Sequence, residues 1–510
     1  MAVEQGHLIC PTTRTQQQRT SPLSGVFSAL ILLALLNLFV TSFSGTIPFV
    51  LIFLFRYVRV IGNFYSYFFR YKHVESPDAP TTPEPENTSP DASESPATKS
   101  SQLKNNYNVA VLMQTVPDLG NEFHECLVSI LREKPAQVMI CTDEAHFEQV
   151  AASVDMLLAD DAFTNIRDAT VVNVYKAPEA NRRKQFLQCL PDVHSQVDYI
   201  IMCDDHIFLP KDFIKFAIAP FKHEQVAVVN VGKKVRRTQE ERDSWTQAVT
   251  GKMKTLDEMK GIRNEPKDLN WIEKMAADFL NYLGCVYLDR HNVECAATYG
   301  MDRGYFVVSG RCLPMRRSFW TQDRINRYAA EQWQGKVLAA DDDAWIGREA
   351  AANGFEVAFQ FHEDYLLQTN VGNEGWGKFS GQLLRWAKTW FRTGTRMEAD
   401  VWKQKPWTAY ACHVSGLFNF ARPLDFLLFW NLWHANQSLF NQRGYFVVFW
   451  LCTKVFEAHR HHFRYPRDMM YISLNIIFGW CHSFVKAFAW YDVDNVEWTG
   501  RSLGPAKKDQ

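Results

Sequence analysis

Residues 198–210 read DYIIMCDDHIFLP, an apolar run closed by two adjacent carboxylates and a histidine. A short unbroken run of large apolar residues bounded by polar ones is the pattern of a strand buried on both faces. The same pattern stands at 109–113, 137–141 and 171–175, with a helical stretch at 122–133 between the first two. Strands alternating with helices predict an α/β domain on a parallel sheet, whose ligand crevice lies at the carboxyl ends of the strands. Acidic residues at those ends are therefore candidate ligand contacts. Asp204 and Asp205 suit a divalent cation bridging two phosphates, with His206 to orient them. Asp143, closing MICTD, suits hydrogen bonds from a base or ribose, although a carboxylate there also reads as a helix cap.

Further along, VLAADDDAWIGREAAANGFEV at 337–357 sets Asp341, Asp342 and Asp343 at the start of a helical segment. Adjacent carboxylates repel one another and need a cation, a helix N-terminus or a shared proton, each of which perturbs a pKa. A carboxylate so tuned can take a proton from an attacking hydroxyl, so this cluster is the candidate source of a general base, with an acidic N-terminal cap as the alternative. In GKFSGQLLRWAKTWFRTGTR at 377–396, Gln382, Arg385 and Trp386 share one helical turn. Arg385 could neutralise a leaving diphosphate and Trp386 could stack on a sugar ring. The same segment reads as an amphipathic helix on anionic lipid, with Lys388, Arg392 and Arg396 towards headgroups.

The 510-residue chain has a formal net charge of −1, which excludes a whole-chain field for nucleic acid. Its 11 cysteines form no C-x-x-C pair and read as reduced thiols. Residues 25–43 are uncharged and apolar, long enough to cross about 30 Å of hydrocarbon. A second apolar stretch, 46–55, precedes Arg56, Arg59, Arg70 and Lys72, whose charge would place the hairpin's ends in the cytoplasm. Residues 75–105, rich in Pro, Ser, Thr and Glu, read as a flexible linker. Three more apolar stretches lie at 408–433, interrupted at Arg422-Pro423, at 445–456 and at 470–491. Arg460, Arg464 and Arg467 favour a cytosolic loop before the last, which would leave the C-terminus outside. Asn436 opens a sequon and is a candidate glycosylation site. The expected division is a tail at 1–24, a transmembrane hairpin at 25–70, a linker at 71–106, a catalytic domain with an interfacial helix at 107–405, transmembrane helices at 406–492 and a tail at 493–510.

Asp204-Asp205-His206, Asp341-Asp342-Asp343 and Gln-Leu-Leu-Arg-Trp at 382–386, flanked by membrane helices, resemble the inverting family-2 polysaccharide synthases, the cellulose, chitin and hyaluronan synthases among them. The likeness spans roughly 108–501 and is nearest to fungal type 2 glycosyltransferases and capsular-polysaccharide synthases. It implies a GT-A (Rossmann-like) cytosolic catalytic domain between N- and C-terminal transmembrane helices in the plasma membrane. It further implies a UDP-sugar donor, Mg²⁺ or Mn²⁺ on Asp205 and Asp204, and a growing polysaccharide as acceptor, built for the outer cell wall and hyphal surface. Asp343 corresponds to the family's base, since Gly354 follows at the family's interval. Ser309-Gly310 resembles the acceptor-side element. Trp498-Thr499-Gly500-Arg501 resembles the element that closes over the donor diphosphate, with its middle pair inverted, so Trp498 and Arg501 join Asp143, Asp204, Asp205, Gln382, Arg385 and Trp386 as donor contacts. Two departures stand out: Cys203 replaces the first acid of the family's Asp-x-Asp, and Gln114-Thr115-Val116-Pro117-Asp118 replaces its uracil-holding segment. The altered residues leave open a non-processive transferase making a glycolipid, or a membrane scaffold without activity.

Overall fold

The computed structural model describes residues 46–75, 108–116, 121–159, 169–238, 241, 270–339, 341–372, 375–396, 399–434 and 443–496. The expected first span, most of the linker, Pro117, Asp118, Asn436, Trp498 and Arg501 lie outside these residues. All four strands expected from the sequence form: β1 (Val109–Gln114), β2 (Gln137–Asp143), β3 (Val171–Ala177) and β4 (Tyr199–Asp204). They are followed by β5 (Ile207–Phe208), β6 (Val226–Val231), β7 (Lys233–Val235), β8 (Cys312–Arg316), β9 (Gln332–Trp333), β10 (Lys336–Val337), β11 (Glu356–Gln360) and β12 (Leu367–Thr369). The main sheet has the order β11-β6-β8-β4-β1-β2-β3. Its pairings are parallel except at β8, which runs antiparallel to β4 and β6.

Alternation along each strand divides the core between the two sheet faces. Val109, Val111, Met113, Ile201 and Cys203 pack with helices Asn121–Arg132 and Phe147–Leu158 on one side. Ala110, Leu112, Ile200 and Met202 pack with Phe186, Tyr328 and Trp345 on the other. Register sets Gln114 beside Asp204, so the carboxyl ends of β1 and β4 form one edge.

Helix Thr46–Phe69 continues straight through Arg56 and Arg59. Those two arginines are not loop cations marking a cytoplasmic face: Arg56 pairs with Asp425 at 3.1 Å and Arg59 with Glu294 at 2.9 Å. Glu294 belongs to the 32-residue helix Trp271–Asp302, started by a capping box between Asn270 and Glu273. Ser66 donates to Ala297 O at 2.6 Å, and Val74 and Gln360 exchange hydrogen bonds of 3.0 and 2.7 Å, so the apolar helix is fastened to the sheet domain.

Among the described residues two helical stretches are long and apolar enough to cross a bilayer, Ile47–Phe69 and Pro466–Tyr491. The 408–433 stretch is instead split in two: a helical run from Pro406 through a π turn at Tyr410–Ser415 ends at Phe418, and a new helix runs over Ala421–His434. The break falls at Asn419-Phe420 and not at Arg422-Pro423, because Pro423 occupies the first turn of the new helix, where its missing N–H costs nothing. Helix Arg443–Glu457, with 15 residues, falls short of the roughly 20 a span requires.

Helix Ile472–Tyr491 lies beside helix Trp376–Gly394. Phe379 meets Phe478 at 6.1 Å and Phe391 meets Trp490 at 4.8 Å, equal steps that make the two run in the same direction. Both ends are tied to the sheet domain. At one end Arg237 grips Asp468 through bonds of 2.7 and 2.6 Å; at the other Lys388 pairs with Asp492 and Trp333 donates to Asp494 at 2.8 Å. Residues 492–495 thus pack on the same body as 459–468.

Arg237 and Asp468 are both buried, so removing one partner strands a charge. Arg237 also holds Asp278, and Asp468 also holds buried His461, so Arg237→Met is expected to destabilise the protein by about 3 kcal/mol, with Arg237→Met/Asp468→Leu recovering only part of the loss. Thermal unfolding of the detergent-purified chain measures both.

Candidate functional site

The carboxyl edge of the sheet opens into a cavity of about 890 Å³. It gathers Asp204, Asp205, Asp342, Asp343, Ser309, Gly310, Gln382, Arg385 and Trp386 from four separate segments. Asp143 stays apart from them. Its side chain accepts from the His146 N–H at 3.1 Å and from the His146 ring, which makes it the cap of the turn Glu144–His146.

The three adjacent acids diverge. Asp341 adopts a left-handed backbone (φ 64°) and turns to Arg392 and Thr389 on helix Trp376–Gly394. Asp342 is buried and meets Arg182 Nε at 3.4 Å. Asp343 accepts from Gly310 N and from Ala344 N, each at 2.7 Å. Burial first, and the neighbouring Asp342 second, push the Asp343 carboxyl up to about 6, against the pull of Arg182 and the two N–H donors.

Arg182 is the residue that sequence reading missed. It begins helix Arg182–Cys189, capped by Asn181 just after β3, and its guanidinium reaches Asp204 Oδ1 at 2.9 Å as well as Asp342 and the carbonyl of Gly310. A Cβ on Gly310 would lie 2.5 Å from Arg182 Nη1, so a side chain there would displace the guanidinium from its acids. The available signal was a basic run, Arg182-Arg183-Lys184, opening a helix at the same strand edge as the acids.

Asp205 has both oxygens engaged, by the Thr115 hydroxyl at 2.7 Å and by His206 Nδ1 at 2.9 Å. Asp204 has its second oxygen 3.9 Å from His206 Nε2 and lines the cavity. Cys203 points to the other face of β4, into the core opposite Cys312 in register. Among the described residues no three His, Cys, Asp or Glu side chains converge as a metal-holding group. A Mg²⁺ or Mn²⁺ carried on a diphosphate takes only one or two carboxylates from the protein, and Asp204 fits that demand.

Gln382 and Arg385 reach the cavity with no hydrogen bond or ion pair among the described residues, and so remain available to a ligand. Trp386 stacks on Tyr287 with centroids 5.2 Å apart. By contrast, Lys388, Arg392 and Arg396 do not face headgroups. Lys388 and Arg392 are buried, and the three pair with Asp492, Asp341 and Glu331. The polar face of this helix docks on protein because the acids that satisfy it come from distant parts of the chain.

A base must be ionised to act, so turnover is expected to fall as pH drops through about 6. Arg182→Met removes a field that favours the carboxylate, so the acid limb of the pH–rate profile should move to higher pH. Asp343→Asn should lower kcat by about 10²–10⁴-fold at every pH.

The family of glycosyltransferase-like family 2 proteins matches residues 120–389, more than half of the chain. Over 469 residues the chain is 27% identical to a type 2 glycosyltransferase of Pyricularia oryzae, covering 89% of this chain and 82% of that one. Over 413 residues it is 27% identical to a type 2 glycosyltransferase of Gibberella zeae, covering 79% and 70%. The crystal structure of S. aureus TarS 1-349 aligns with 76% of this chain and 90% of that one, at 11% identity and a TM-score of 0.33, too distant to bear on the site. The central sheet, the acids at its carboxyl edge and the extent of the family match agree: the chain belongs to glycosyltransferase family 2 and has a mixed α/β, GT-A-like fold.

Proposed function

We propose that the protein is a membrane-embedded, inverting glycosyltransferase that moves a sugar from a UDP-sugar onto a growing polysaccharide of the outer cell wall. One observation carries this reading. Asp343, Asp204 and the Gln382-Arg385-Trp386 turn share a cavity that continues between the apolar helices, past Asn63, Phe456 and Trp480. A transferase acting on a small soluble acceptor has no need of that continuation.

Asp343 takes the proton of the acceptor hydroxyl as its oxygen bonds to the anomeric carbon. The bond from that carbon to the diphosphate breaks in the same displacement, which inverts the centre. Arg385 and Arg182 offset the charge on departing UDP. A divalent cation at Asp204 would add Lewis-acid stabilisation of the diphosphate. Trp386 presents a ring to the acceptor. Trp498 and Arg501 are proposed to close over the donor, which the return of residues 492–495 to the sheet domain supports.

Membrane embedding is supported by two apolar stretches that are only 22% and 11% buried, unlike the core helices of a soluble protein. On the last helix, Met470, Leu474, Ile477, Phe484, Phe488 and Tyr491 form one exposed apolar stripe, while the opposite side packs on the domain. With both ends held by the domain, this helix rests in the bilayer surface, and the catalytic face is cytosolic. A glycosidase-sensitive mobility shift lost in Asn436→Gln is the expected mark of glycosylation at the Asn436 sequon.

The direct test is UDP release by detergent-purified protein with a panel of UDP-sugars and Mg²⁺ or Mn²⁺. Turnover with one donor is expected, falling by about 10²-fold or more in Arg385→Met, and product sizing should show polymer. Absence of turnover with every donor in a folded preparation would remove the transferase reading; a glycolipid product would remove the polysaccharide.

A further inference from the structure

The cavity carries more positive charge than a donor needs. Beyond the acids its wall includes Lys233, His291, Arg290, Arg59 and Arg311. Lys233 is 2% exposed. Among the described residues, neither its ammonium, the guanidinium of Arg311 nor the ring of His291 has a hydrogen-bond or ion-pair partner. Arg59 and Arg290 share a single acid, Glu294, at 2.9 and 3.9 Å. Glu457 lies against Arg290, Asp204 against Arg311 and Asp343 against Lys233 along the same wall, yet the Lys233 ammonium and the Arg311 guanidinium make no direct bond to any of these acids, an arrangement that is costly unless a ligand completes it. Burial already pushes Lys233 down to about 8 and Arg311 down to about 10.

The donor does not supply the missing charge. Arg182 and Arg385 stand beside Asp204 for the diphosphate, and a divalent cation there would neutralise it further. Arg311 borders that donor cluster, whereas Lys233 faces Asp343, and Arg59 on helix Thr46–Phe69 extends the basic wall towards the apolar helices.

Aromatic rings are interleaved with these cations. Arg311 lies over Trp386 at 5.5 Å, and Arg290 over Tyr287 at 5.6 Å. His291 sits 5.2 Å from Tyr287 and 6.1 Å from Phe306, over which Arg59 lies at 4.6 Å. Rings take the apolar faces of pyranoses, and cations at intervals take charges that recur along a chain. A single lipid phosphate would need one cluster, and a neutral glycan none.

We infer that this arm of the cavity holds an acidic saccharide, so that the acceptor is a glycan bearing sugar carboxylates. The inference rests on the transferase reading above and adds the chemical class of its acceptor. Lys233 and Arg311 receive carboxylates next to Asp343, while Tyr287, Trp386 and Phe306 support the rings between them.

Binding can be measured without turnover in the full-length Asp343→Asn protein in detergent, by calorimetry with a short oligogalacturonide and its carboxyl-reduced, neutral counterpart. The acidic oligosaccharide is expected to bind at least about tenfold more tightly, with a preference that shrinks as salt rises. Lys233→Met should abolish the preference, and Arg311→Met should weaken it, both with thermal midpoints near that of the parent. Equal binding of the two oligosaccharides would overturn the inference, as would a preference that survives Lys233→Met in a folded protein. Tighter binding of a polyprenyl phosphate, in competition with the oligogalacturonide, would replace it with a lipid acceptor. If no UDP-sugar is turned over yet the acidic oligosaccharide still binds through Lys233, the transferase reading fails and the anionic saccharide site stands.

Discussion

Three successive carboxylates at 341–343 impose the constraint on which the site depends. They cannot share one environment, and each is satisfied from a different part of the chain. Asp341 draws Arg392 from the helix that bears Gln382, Arg385 and Trp386; Asp342 draws Arg182 from the segment after β3; Asp343 draws the N–H of Gly310 from the approach to β8. Satisfying the acids therefore assembles the cavity. Arg182 is the common tie, because it also holds Asp204 at the end of β4 and presses on Gly310 closely enough to exclude a side chain there.

The same electrostatic economy leaves Asp343 distinct from its neighbours. Asp341 is locked in a bidentate ion pair, whereas Asp343 receives two backbone donors and remains raised by burial beside Asp342. Environment, and not residue type, sets one carboxyl apart in a run of three identical side chains. On the opposite wall, cations without partners do for an anionic ligand what the acids do for the protein's own arginines.

The apolar helices are part of this machinery and not a detachable anchor. Helix Thr46–Phe69 is pinned through Arg59, Ser66 and the Val74–Gln360 exchange, and the last helix is pinned at both ends. Because these helices also line the cavity, a shift of the sheet domain against them would change the space into which the acceptor extends.

Much of this was legible in the chain. The strands at 109–113, 137–141, 171–175 and 199–203 were readable because burial on both sheet faces leaves a local run of apolar residues, and such a run places the acid that follows it at the ligand edge. The acids at 204 and 341–343 and the turn at 382–386 were visible as residue types in spacing. Sequence did not disclose the partners. Lys388, Arg392 and Arg396 form a basic face that suits a lipid headgroup as well as it suits Asp492, Asp341 and Glu331, and Asp143 after a strand looks like Asp204 after a strand. The strong apolar character of 470–491 marked a long apolar helix, but composition did not disclose that ion pairs at Asp468 and Asp492 fasten both of its ends to the sheet domain. Lys233 and His291 carried no signal of their own, and the basic run at 182–184 did not say which acids it meets, since their meaning comes from groups on other elements. Periodicity is a local property of the chain, so sequence by itself determined the elements and the edge that bears the chemistry. Charge compensation in a buried space is a property of distant segments brought together, so only the tertiary structure decided how each of the three carboxylates is compensated, which cations are spent on the fold and which are left without a partner among the described residues.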